Sequence, residues 1–158
     1  MIVEGAEAFA ALLPPRAAIA GADLGTRTIG VAVSDLSRAV ASPLCTIRRV
    51  KFTQDATELL GLFPARGIAG LVLGLPLNMD GTEGPRCQST RAFARNLARM
   101  TDLPITFWDE RLSTVAAERA LLEADISRKR RGEVIDHVAA GVILQGFLDR
   151  LRHLGATA

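Results

Sequence analysis

With 158 residues, 49% of them hydrophobic and 23% charged, the chain has material for one domain with a real core. No apolar run reaches the roughly 18 residues of a membrane span, and Arg16 is the first basic residue, so the signal-peptide pattern is missing. The net charge of +2 does not announce a nucleic-acid binder in bulk, and any such role has to be read from where the charges stand.

Residues 2–13 carry Phe9, Leu12 and Leu13 in a weakly helical pattern stopped by Pro14-Pro15. This predicts an N-terminal helical extension, residues 1–16, outside a main domain of residues 17–158. Ala18–Asp23 reads as a first strand, Gly25-Thr26-Arg27 as a tight turn, and Thr28–Asp35 as a second strand, in which Ile29, Val31 and Val33 alternate with smaller residues. A third strand is expected near Leu44–Arg48. Phe52–Phe63 has helical periodicity, and Ile68–Leu75 is an apolar run of the kind found in a strand covered on both faces. Pro76 ends that run, Asn78-Met-Asp-Gly81 supplies loop chemistry, and Pro85 suits the first turn of a helix reaching about Met100. Pro104–Trp108 gives a fifth strand, Thr114–Ala124 a helix and Glu133–Leu151 the last helix. Three strands on tight turns, followed by alternating helix and strand, predict an α/β domain with a mixed five-stranded sheet flanked by helices, in ribonuclease H-like order.

Three acids fall where burial is expected. Asp23 ends one apolar run, Asp109 and Glu110 end another, and Asp136 shares a helix face with Ala139, Ala140, Ile143 and Phe147. A buried carboxylate is costly to charge, and several together repel one another, unless cations intervene. Oxygen-only ligands of this kind favour Mg²⁺ or Mn²⁺ over zinc, and paired divalent ions on such a cluster suit phosphodiester cleavage. Each acid also has a plainer role. Asp23 could bond its own turn, Asp109 or Glu110 could pair with Arg111, and Asp136 could sit near a helix N-terminus and favour its dipole. His137 and His153 have no zinc spacing with Cys45 and Cys87, and the two cysteines read as free thiols of a cytoplasmic protein.

Of 19 basic residues only Lys51 and Lys129 are lysines, an arginine preference that genomic base composition also explains. Position is more telling than number. Arg27 lies in the first turn, Arg111 beside the acids, and Arg128, Lys129, Arg130 and Arg131 just before the helix bearing Asp136. Arginine forks suit phosphate, so these six are the candidate nucleic-acid-binding residues.

Gly21-Ala-Asp-Leu-Gly-Thr-Arg-Thr-Ile-Gly-Val-Ala-Val-Ser-Asp35, Ala41-Ser-Pro-Leu44, Gly74-Leu-Pro-Leu-Asn-Met-Asp-Gly-Thr-Glu-Gly84, Asp109-Glu-Arg-Leu-Ser-Thr114 and Ser127-Arg-Lys-Arg-Arg-Gly-Glu-Val-Ile-Asp136 occur in one order over roughly residues 18–150. In these segments the chain resembles the YqgF/RuvX family of pre-16S rRNA nucleases, relatives of Holliday-junction resolvases. The resemblance implies a ribonuclease H-like fold and a metal-dependent endonuclease with acids at Asp23, Glu110 and Asp136. It also implies a precursor 16S rRNA or pre-ribosomal particle as partner, with branched DNA as the alternative. In that strand order one strand separates Asp23 from Glu110, so Asp109 or the Asn78–Asp80 loop stays open as the source of the middle ligand. An actin-like or sugar-kinase ATPase would need a second copy of the Asp-Leu-Gly-Thr turn, and none is present; a catalytically silent rRNA-binding module would not need all three acids.

Overall fold

The ends of a central strand set the plan of the molecule. A computed structural model describes the backbone of residues 1–113 and 128–155, and the side chains of 1–113 and 137–155. The helix expected over Thr114–Ala124 lies outside the described residues. Strands β1 (Ala18–Leu24), β2 (Thr28–Ser34), β3 (Ala41–Arg48), β4 (Ile68–Leu75) and β5 (Ile105–Asp109) form one sheet in the order β3-β2-β1-β4-β5. The first three are antiparallel neighbours, as short turns permit, while β4 and β5 run parallel to β1. Helices α2 (Phe52–Gly61) and α3 (Pro85–Ala98) provide the crossovers, and α4 (Arg128–His153) closes the chain. Pro85 occupies the first turn of α3, where its missing N–H costs nothing.

Strand alternation sends Ala18, Ala20, Ala22 and Leu24 into a core shared with Leu59 of α2 and Phe93 and Leu97 of α3. Ile19 and Val72 belong to the opposite core, with Ala140, Ile143, Leu144 and Phe147 of α4. Gly21 lets α4 come close, because a Cβ there would stand 2.8 Å from Leu144 Cβ.

Three boundaries differ from the expectation. β3 begins at Ala41 rather than Leu44, because a register shift between Val31 and Ala32 carries the pairing past Pro43. A bulge is where a sheet tolerates proline. α4 begins at Arg128, ahead of the expected Glu133, since a polar basic run hides helical periodicity. The N-terminal helix is only α1 (Ala6–Ala10). Its Phe9 is fully buried in the α4-side core and meets Phe147 edge-on at 5.4 Å between ring centroids. Ahead of α1, Val3 N–H donates to Ile105 O (2.8 Å) and Ile105 N–H to Met1 O (2.7 Å), so this segment lines the outer side of β5.

Candidate active site

Asp23 stands at the carboxyl end of β1, 2% exposed, paired in register with Gly30 of β2. It shares the sheet face of Ile19 and Gly21, toward α4. On the other side of β1, Ala22 is in register with Leu73, so Gly74 of β4 borders Asp23. The ladder continues from Gly74 to Trp108 and from Leu75 to Asp109, the last residue of β5. Glu110 follows at once, opening a 3₁₀ turn, Glu110–Leu112.

One strand therefore does separate the two acids, and the missing side chain of Gly74 answers the problem. A Cβ built there would lie 3.4 Å from the Glu110 carboxyl carbon and 2.5 Å from Ile143 Cδ1. Glu110 folds inward over the bare backbone of β4, toward the strand that carries Asp23.

The two alternatives for the middle acid are engaged elsewhere. Asp109 accepts the Arg111 backbone N–H at 2.9 Å and is gripped by the Arg111 guanidinium, with Nη2 to Oδ2 at 2.7 Å. That guanidinium holds the Asp109 carboxyl below the usual carboxylate range. Asp80 bonds within its own turn, to the Thr82 backbone N–H (3.0 Å) and hydroxyl (2.6 Å), and its carboxyl is lowered in turn, chiefly by the Thr82 hydroxyl. Arg111, besides Asp109, donates to Met79 O at 3.3 Å and so ties the loop after β4 to the end of β5.

α4 comes to the same end of the sheet. His137 Nδ1 lies 2.8 Å from the Thr46 hydroxyl, and Thr46 pairs with Gly30, the partner of Asp23. Asp136 precedes His137 in the helix, and its side chain lies outside the described residues, as do those of Arg128–Arg131. Since α4 starts at Arg128, Asp136 lies well beyond the first turn, where the helix dipole's favour for an anion has faded. Among the described side chains, no group of three or more His, Cys, Asp or Glu gathers as a metal centre. Arg27 is exposed in the β1–β2 turn. The cysteines are free thiols.

Two arginines near this end carry no motif. Arg49 donates to Gly25 O at 2.6 Å and Arg86 to Leu24 O at 3.3 Å, both on the turn that follows Asp23. In the sequence Arg86 stands out only in that Arg86, Arg91, Arg95 and Arg99 recur at helical spacing.

A family model described as RuvX, Holliday junction resolvase, matches residues 17–150. A protein of Paracoccus denitrificans named "Putative pre-16S rRNA nuclease" is 73% identical over 157 residues, 99% of each chain. One of Ruegeria pomeroyi with the same name is 72% identical over 154 residues, 98% of this chain and 100% of the other. Among solved structures, T. thermophilus RuvC in complex with Holliday junction substrate superposes with a TM-score of 0.53 at 12% identity, covering 89% of this chain and 98% of that one. The last likeness concerns the fold alone, and it sets the sheet and its flanking helices among ribonuclease H-like folds.

Proposed function

The chain belongs to the RuvX family, and on that premise we propose that it is a metal-dependent endonuclease processing the 5′ end of precursor 16S rRNA in the cytoplasm. The observation that carries the reading is the cradle at Gly74, where the Glu110 carboxyl carbon lies 3.4 Å from the place of a Cβ, one strand away from buried Asp23. This donor set fits a hard divalent ion. Asp23 and Glu110 would hold Mg²⁺ or Mn²⁺, with Asp136 of α4 as a further ligand. Such an ion supplies Lewis acidity at a phosphate oxygen and toward the attacking water.

The chain's own residues provide position. β1 fixes Asp23 in a packed strand, so its carboxylate needs little reordering when substrate arrives. Gly74 leaves the space through which Glu110 reaches inward, and Arg111 ties the neighbouring loop to the end of β5 by binding Asp109 and Met79 O. Arg27 and the Arg128–Arg131 run would line the path of the nucleic-acid strand, with phosphate as their target.

The test is incubation of precursor 16S RNA, free and in pre-ribosomal particles, followed by mapping of the new 5′ ends. Cleavage should need Mg²⁺ or Mn²⁺ and should fall at least about a hundredfold in Asp23→Asn, Glu110→Gln and Asp136→Asn, with the far-UV circular dichroism unchanged. Full activity of folded Asp23→Asn would overturn the assignment. The family description favours one second reading, a resolvase acting on branched DNA. A four-way junction run beside the RNA decides between them.

A further inference from the structure

We propose that Arg49 and Arg86 form a phosphate subsite for the substrate strand, on the face of the sheet opposite α4 and one residue beyond Asp23. The inference rests on the nuclease reading and deepens it by assigning a place for the strand's sugar–phosphate backbone. A cleft opens between the β1–β2 turn and α3, lined by Gly25, Thr26, Arg49, Arg86, Ser89 and Thr90. Its two cations come from distant parts of the chain, one from the segment after β3 and the other from the first turn of α3. They converge on the adjacent carbonyls of Leu24 and Gly25.

Among the described residues neither guanidinium stands in an ion pair. Among the described residues the ion pairs are those of Arg91 with Glu4 and Glu83 and of Arg111 with Asp109, and no carboxylate lines the cleft. Two like charges brought to one turn repel each other, and an anion between them relieves the repulsion. Arg49 is also built in. It is half-buried, its guanidinium lies 5.8 Å from the Phe93 ring centroid, and that ring meets Phe52 edge-on at 5.3 Å. One carbonyl bond uses one of the five N–H donors of each guanidinium, which leaves a fork for phosphate oxygens. The Thr26 and Ser89 hydroxyls border the same space and add neutral donors.

The site is a strand-backbone site rather than a free-anion site because of where it stands. Leu24 is the residue next to Asp23, so a phosphate held by the two guanidiniums that donate to the Leu24 and Gly25 carbonyls would stand beside the phosphodiester presented to the acids, on the same strand. The strand would cross the carboxyl end of β1, with the scissile group on the α4 side and a flanking phosphate on the α3 side.

The experiment measures binding of a precursor-16S RNA oligonucleotide in EDTA, where cleavage is stopped, as a function of salt. Wild type is compared with Arg49→Gln/Arg86→Gln and with the control Arg66→Gln, which lies before β4 at the far end of the sheet. The double variant should bind roughly 10- to 100-fold more weakly. Its salt slope should flatten by about 0.7 for the one phosphate no longer neutralised, while Arg66→Gln keeps both values. Ser89→Glu, which places a carboxylate among the two arginines without removing their carbonyl bonds, should reproduce the loss if the double variant fails to fold. Wild-type binding with an unchanged slope in the folded double variant, or in Ser89→Glu, overturns the subsite and leaves the nuclease reading standing. Failure of wild type to bind RNA or branched DNA at all overturns that reading instead. Inorganic phosphate binding lost in the double variant, with RNA binding untouched, makes the cleft a free-anion site and overturns the proposal.

Discussion

Gly74 shows how one absent methyl group can organise a site. Its backbone lies between the strands bearing Asp23 and Glu110, and Ile143 fills the rest of the space above it. Gly74→Ala would drive a Cβ to 2.5 Å from Ile143 Cδ1. We expect a loss of about 1–3 kcal/mol from overpacking, read as a shift in the urea midpoint. Because Glu110 would be lifted away from β4, cleavage should fall further than the fraction of unfolded protein explains. In the sequence, Asp23 is legible because an acid ends an apolar run. The role of Gly74 is not, because it depends on which strands are neighbours and on a side chain arriving from 36 positions later in the chain. In the sequence the preference for Glu110 over Asp109 rests on the family resemblance, and the Arg111 grip on Asp109 that supports it is revealed by no spacing.

At the level of elements, the end of β5 is fixed by local chemistry. Asp109 caps the 3₁₀ turn and pairs with Arg111, which also reaches the loop after β4. With Asp109 titrating lower in the folded protein than in the unfolded chain, the pair's stabilisation is complete above the ordinary aspartate value of about 3.9 and fades as pH falls through the folded value. Asp109→Asn should therefore lose roughly 0.2–1 kcal/mol at pH 7, and its urea midpoint should converge on that of the wild type in acid. A constant gap down to pH 2 would show that the pair contributes through something other than charge. Strands packed on both faces, β1 and β4, are easily read as apolar runs. β3 is harder, since it is exposed at Ser42 and Pro43 and broken by a bulge, so its first residues carry no alternation to detect.

Across the whole molecule, the two cores on either side of the sheet are unequal in what the sequence reveals. The α2/α3 core follows from periodicity. The α4 core also takes Phe9 from a segment whose weak pattern suggested an addition standing apart from the domain. Phe9 is wedged against Phe147 and over Gly70, where a Cβ would lie 2.5 Å from its ring. Phe9→Ala should cost about 3–5 kcal/mol and lower Tm, whereas a segment with no part in the domain would leave Tm unchanged.

The pairing of Met1 and Val3 along the outer side of β5 has a counterpart at the opposite margin, where Pro43 lacks an N–H and the bulge breaks the ladder. At Ile105 and at Pro43 an arriving copy would find the row of donors and acceptors interrupted. Among the described residues each margin of the sheet thus carries a local interruption of the kind that disfavours edge-to-edge polymerisation.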